Sequence, residues 1–256
     1  MAGNFFWYDV MTTDTKAAAK FYGEVVGWGT QDGGSPDMTY TLFTIGGRGV
    51  AGLMPIPDDA KKMGVPPCWM GYILVDDVDD MAKRIVAEGG KLHKGPITVP
   101  GIIRFAVVAD PQGAGFLIAT PIPTEAPPPM APGAPGTVGW HELYAADGKT
   151  AFAFYEKLFG WTKDQTMDMG PVGIYQLFKT GGEYAIGGVM TKPAQAPLPY
   201  WGFYFNVDGG IDAAIARVTQ GGGKILNGPI QVPGGSWIAQ AMDPQGAFFA
   251  LAAHTR

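Results

Sequence analysis

Two carboxylic acids open the two halves of this chain in the same setting: Asp9 stands two places after Trp7, and Glu142 two places after Trp140. In an extended strand, residues two apart share a face, so each acid lies beside an indole. A carboxylate among apolar groups is costly unless it is paired or protonated, so its presence calls for a reason. One reading is a polar anchor, or a general base of raised pKa, in an aromatic pocket. The other is an acid hydrogen-bonded to a neighbouring strand or to a closing loop. The residues themselves leave both open.

Other reactive groups are few. Cys68 is the single cysteine, so no internal disulfide forms, and without a histidine partner it reads as an inert thiol. The three histidines, His93, His141 and His254, are scattered, and strand alternation turns His141 away from the face of Trp140. The glycine stretches at 46–47 and 221–223 lack the Lys-Ser/Thr that completes a phosphate-binding loop. A net charge of -5 with no basic stripe argues against a nucleic-acid partner. No run approaches the roughly 18 apolar residues of a membrane span, and no leader pattern opens the chain, so a soluble protein of a reducing cytoplasm is expected, without a membrane partner.

The elements that must position the two acids come from a repeat. Trp7, Asp9, Asp14, Phe21, Tyr22, Gly27 and Trp28 answer to Trp140, Glu142, Asp147, Phe154, Tyr155, Gly160 and Trp161, always 133 residues on. An offset of about half the chain marks a duplicated domain rather than a solenoid. Residues 5–11 read as a strand, and Asp14 as the N-cap of a helix to about 26 that Gly27 ends. A strand at 28–31 follows, then a loop at Gly33, Gly34 and Pro36, then strands at 38–45 and 49–56. A polar loop at 57–67 leads to a strand at 69–75, a helix at 78–87, and strands at 91–97, 103–108 and 115–120, the last two joined by Asp110-Pro111-Gln112-Gly113. Seven of sixteen residues between 121 and 136 are proline, which predicts a stiff extended linker. Beyond it the order returns: a strand from 138, a helix capped near Asp147, strands at 175–179, 185–190 and 201–207, a helix from 211, and a second Asp-Pro-Gln-Gly at 243–246. Seventeen of 31 positions agree between 89–119 and 222–252. The expected organisation is a domain at 1–120, a linker at 121–136 and a domain at 137–256.

Four consecutive β-α-β-β-β units, helices ending Phe-Tyr then Gly-Trp, and an Asp-Pro-x-Gly turn before the last strand resemble the vicinal oxygen chelate superfamily. This group contains glyoxalase I, extradiol dioxygenases and bleomycin-resistance proteins. With the Trp-x-Asp/Glu openings and the proline linker, the chain looks like bacterial two-domain glyoxalase-like proteins. The resemblance implies an α+β fold of two domains, each a sheet curled into a cup with the ligand inside. It also implies where a divalent metal would be held: Trp7 and Trp140 on first strands, Met54 and Met190 on fourth strands, Met70 and Trp201 or Gly202 on fifth strands, Leu117 and Ala250 on eighth strands. None of these is a histidine or a carboxylate, and thioethers suit only soft ions, so no metal and no cofactor is expected.

In that arrangement Asp9 and Glu142 face the cup, and Trp7, Tyr40, Met54, Met70, Tyr72, Trp140, Tyr175, Met190 and Trp201 supply an apolar, adaptable wall. Arg104, matched by Trp237 in the second half, could hold an anionic group of a ligand. The expected function is metal-independent binding of a small apolar or aromatic molecule. The alternatives are a metal-independent lyase, isomerase or hydroxylase-like enzyme using Asp9 or Glu142 for proton transfer, or a metal-dependent glyoxalase or dioxygenase with displaced ligands. Because four units on one chain complete two cups, a monomer suffices, and a homodimer stays open.

Overall fold

The computed structural model describes residues 3–35, 38–122, 128 and 130–256. The first module is β1 (Phe5–Thr12), α1 (Thr15–Val26), β2 (Gly29–Asp32), β3 (Thr41–Ile45) and β4 (Arg48–Pro55). After a short helix, α2 (Asp58–Lys62), the second is β5 (Cys68–Leu74), α3 (Val78–Ala87), β6 (Lys91–Val99), β7 (Ile103–Ala109) and β8 (Gly115–Pro121). The third is β9 (Val138–Ala145), α4 (Gly148–Phe159), β10 (Thr162–Asp168), β11 (Ile174–Lys179) and β12 (Gly187–Thr191). The fourth is β13 (Tyr200–Asn206), α5 (Ile211–Gln220), β14 (Lys224–Gln231), β15 (Trp237–Met242) and β16 (Phe248–Ala253). The fold is α+β, with strands ordered β2-β3-β4-β1-β5-β8-β7-β6 in one eight-stranded sheet and β10-β11-β12-β9-β13-β16-β15-β14 in the other.

Local signals explain most boundaries. Asp14 accepts the Ala17 amide at 2.9 Å, and Gly27 ends α1 at φ 89°, a conformation glycine adopts without the Cβ clash. Asp77 and Asp147 cap α3 and α4 in the same way. Where the expected elements differ, the reason is local. The strand expected from 38 begins only at Thr41. The polar loop at 57–67 contains α2, which no apolar periodicity announces, because it has no buried residue. The strand expected from 185 starts at Gly187. The expected linker at 121–136, and Pro36 of the first loop, lie partly or wholly outside the described residues.

The chain packs as two compact units, and each draws one module from either half: one comprises Met1–Phe6, Met70–Pro129 and Trp140–Gly202, the other Trp7–Trp69, Met130–Gly139 and Phe203–Arg256. In the second of these, Tyr22 of α1 is fully buried among Phe21, Trp28, Phe43, Trp69 and Phe249. Its hydroxyl donates to Asp243 Oδ2 at 3.0 Å and accepts the Trp69 indole N–H at 2.8 Å. In the other unit Tyr155 of α4 donates to Asp110 Oδ2 at 3.2 Å and accepts from Trp201 at 3.1 Å, between Phe116, Phe159 and Trp161. The Phe-Tyr and Asp-Pro-x-Gly signatures are therefore core groups that satisfy one another across the duplication. Each ring buried in this way contributes on the order of 1.5–3 kcal/mol, before the smaller gain from edge-to-face geometry.

Both aspartates are also fastened by the turns they begin. Asp110 Oδ1 accepts from the Gln112 and Ala114 amides, and Asp243 Oδ1 from those of Gln245 and Ala247, each at 2.8–2.9 Å. Burial raises both carboxyl pKa values above the ordinary range, and these amide bonds offset part of the rise. Burial, and then the neighbouring aspartate charge, push both tyrosines well above the usual phenol value.

Candidate functional site

Each unit carries one of the two strand acids on a face lined with aromatic side chains. In the unit built from Trp7–Trp69 and the chain's last strands, β1 runs parallel to β4 and sets Asp9 opposite Gly52. A Cβ at residue 52 would collide with the Tyr40 hydroxyl and with Asp9 Oδ1, so glycine here makes room for the phenol against the strand. Tyr40 donates to Asp9 Oδ1 at 2.7 Å, and the Trp7 indole N–H lies 2.9 Å from the same oxygen and 3.0 Å from the Tyr40 hydroxyl. Asp9 is buried at 4% exposure, and burial followed by the Asp9 charge raises the Tyr40 pKa far above that of a free phenol. Met54, two places beyond Gly52, pairs in register with Met11. The acid of the first half thus accepts from two donors.

In the other unit β9 runs parallel to β12, with Glu142 opposite Gly188 and Tyr144 opposite Met190. Gly188 again makes room for a phenol, here Tyr175, whose hydroxyl accepts from the Trp140 indole at 2.7 Å. The longer side chain of Glu142 meets a different partner: its Oε2 accepts a hydrogen bond from Tyr144, two places along the strand. The Tyr144 ring stacks on Tyr200 with centroids 4.7 Å apart and planes 17° from parallel. Burial, and then the Glu142 charge, push the Tyr200 hydroxyl up to about 12.

The remaining expected wall residues divide. Met70 lies against Gly115, and Tyr72 is buried edge-on to Phe6. Trp201 is displaced from the wall: it is 4% exposed, sits in the core and donates to Tyr155. Its counterpart is Trp69, which donates to Tyr22, so Gly202 matches Met70 and Tyr200 matches Cys68. Arg104 is engaged by Asp79 through Nε at 2.7 Å and Nη2 at 2.8 Å, with Nη1 on Thr98, which leaves the expected anion-holding role without support. Cys68 is pushed up to about 11 by burial, which keeps the thiol protonated at neutral pH.

Tyr144, Tyr200 and the glycines beneath the phenols were not singled out by sequence. The available signals were alternation, which sets Tyr144 on the face of Glu142, and glycine inside a strand, which marks a close approach. A further pair was also missed: Gln240 donates to the Tyr204 hydroxyl at 2.8 Å, above Ala250, which stands opposite both in register.

A divalent ion does not fit the positions implied for it. The Trp7 and Trp140 indole nitrogens present protons, not lone pairs, to their neighbours. Leu117 and Ala250 are buried and apolar. His141 points into the core, stacked on Phe5 at 4.5 Å with Nδ1 at 2.9 Å from the Ile186 carbonyl, and desolvation lowers its pKa to about 4. Among the described residues no three His, Cys, Asp or Glu side chains converge. No helix among them is long and apolar enough to cross a membrane.

Comparison with known proteins agrees with this architecture. A family model described as glyoxalase/bleomycin resistance protein/dioxygenase superfamily matches residues 4–118 and 137–251. Over 254 residues the chain is 33% identical to a Mycobacterium tuberculosis protein named "Putative glyoxylase CFP32", covering 96% of this chain and 92% of that one. It is 31% identical to the anthracycline biosynthesis protein DauV of a Streptomyces species, covering 96% and 91%. Among solved structures, the Mn(II)-bound glyoxalase of Novosphingobium aromaticivorans aligns at TM-score 0.68 and 16% identity, covering 100% of this chain and 83% of that one. The 2,3-dioxygenase LapB of a Pseudomonas species aligns at 0.67 and 12%, covering 99% and 92%. At such identities these two structures speak for the fold alone.

Proposed function

Because the chain belongs to the glyoxalase/bleomycin resistance protein/dioxygenase superfamily, we propose that it binds a small, largely aromatic molecule against an acid-bearing sheet face, without a metal ion. The observation that carries this reading is the state of the two acids. Each sits beside the indole that replaces a first-strand metal ligand, and each accepts a tyrosine hydroxyl. An acid held in this way is a fixed hydrogen-bond acceptor in an aromatic wall, which suits recognition of a flat ligand by stacking and one or two polar contacts. The relatives named for anthracycline biosynthesis support a fused-ring ligand. A cytoplasmic monomer or homodimer fits this role.

A second reading has one observation in its favour. The Tyr144–Glu142 hydrogen bond pairs a phenol with a carboxyl, which is a route for moving a proton to or from a bound substrate. Turnover separates the two: Glu142→Gln should lower a proton-transfer rate by about 100-fold or more, whereas a pure binder has no turnover to lose. The direct test of the leading reading is a tryptophan-fluorescence titration of metal-stripped protein with a fused-ring aromatic. Saturable 1:1 or 2:1 quenching is expected, and its absence across hydroxylated, methoxylated and unsubstituted rings would overturn the reading.

A further inference from the structure

The two acid-bearing faces are not equivalent. Resting on the reading that such a face holds an aromatic ligand, we propose that the ligand face is the one carrying Glu142, Tyr144 and Tyr200. Its ligand is a planar fused-ring compound with a free phenolic hydroxyl.

In the first half, Asp9 Oδ1 receives both Trp7 and Tyr40, and these two lie within hydrogen-bond distance of each other. Two donors close on one oxygen over Gly52, a compact arrangement that holds β1, β4 and the segment before β3 together. At the positions matching Tyr144 and Tyr200 stand Met11 and Cys68, so the stacked tyrosine pair has no counterpart in the first half. In the second half the extra methylene of Glu142 carries the carboxyl to Tyr144, and Trp140 bonds Tyr175 instead. The result is an acceptor next to two parallel rings, of which Tyr200 is half-buried and so within a ligand's reach.

This geometry selects a ligand chemistry. A stacked tyrosine pair favours a third flat ring in offset geometry, because a broad fused system gains contact area with little entropy to lose. The Glu142 carboxyl is an acceptor, so the ring must offer a hydroxyl proton; an ether or a carbonyl at that place would leave the acid facing a lone pair. The loops that precede β11 and follow β12, at the same end of these antiparallel strands, leave Val172 and Leu198 exposed.

The experiment is a fluorescence or calorimetric titration of the full chain with 2,6-dihydroxyanthraquinone, whose hydroxyls are remote from its carbonyls, and with its dimethyl ether. Wild-type protein and the variants Glu142→Gln, Tyr200→Ala, Tyr200→Phe and Asp9→Asn are compared, each checked for native circular dichroism. The proposal expects the ether to bind at least tenfold more weakly. It also expects E142Q and Y200A each to lose at least tenfold more affinity than D9N, with Y200F losing less than Y200A because the ring remains. If Y200A fails to fold, E142Q and the ether carry the test. Equal binding of phenol and ether, or a loss in D9N matching that in E142Q, overturns the proposal while the general binding reading stands. Failure of both compounds to bind overturns that reading as well.

Discussion

Asp9 and Glu142 differ by one methylene, and that difference redirects the whole polar cluster: the shorter acid gathers Trp7 and Tyr40, the longer one reaches Tyr144. At this scale His141 offers a clean pH probe. Its folded pKa of about 4 lies below the ordinary 6.5, so between these values the unfolded chain binds the proton that the folded chain refuses. Its contribution is complete above pH 6.5 and is lost progressively as pH falls toward 4, amounting to about 3 kcal/mol over the full window. Asp110 and Asp243 act in the opposite sense: their raised values favour the folded state while protonated and weaken it as pH rises. Comparing His141→Phe with wild type isolates the histidine. The urea midpoint of wild type should fall more steeply than that of H141F between pH 7 and pH 5, and parallel falls would contradict the assignment.

At the scale of elements, the strand glycines are as informative as the acids. Gly52 and Gly188 sit opposite Asp9 and Glu142, and each is covered by a tyrosine ring. Gly52→Ala must displace Tyr40 from Asp9, with an expected stability loss of about 1–3 kcal/mol and altered Trp7 fluorescence. An unchanged melting temperature and spectrum would mean that the ring does not lie on the strand. The helices α1 and α4 and their caps were legible in the sequence because Asp14, Gly27 and Asp147 each serve one nearby backbone group. The Tyr144–Tyr200 stack was not legible, because it joins β9 to β13 across 56 residues and depends on which of two adjacent aromatics, Tyr200 or Trp201, faces the core. The one-residue ambiguity at that strand was resolved by the bond from Trp201 to Tyr155, a partner from another module.

For the molecule as a whole, the duplication visible in the sequence is not the unit of packing. Tyr22 answers to Asp243 and Tyr155 to Asp110, so each half supplies the partners that the other buries. Residues 1–122 or 130–256 expressed alone should therefore lack cooperative unfolding and near-ultraviolet dichroism, and the two fragments together should recover both. A single half that unfolds cooperatively would contradict this packing. The sequence showed that four modules exist and in what order. It could not show which modules share a core, since that choice rests on single hydrogen bonds between residues as many as 221 apart.

The measurement that bears most directly on the functional account is the dissociation constant of a fused-ring aromatic for metal-stripped protein, repeated after adding excess Mn²⁺ or Zn²⁺. The account predicts saturable binding with a constant unchanged by either ion, because the positions that would ligate a metal carry indole, thioether and aliphatic side chains. Binding that appears only when a divalent ion is restored, in a stoichiometric amount, would contradict it.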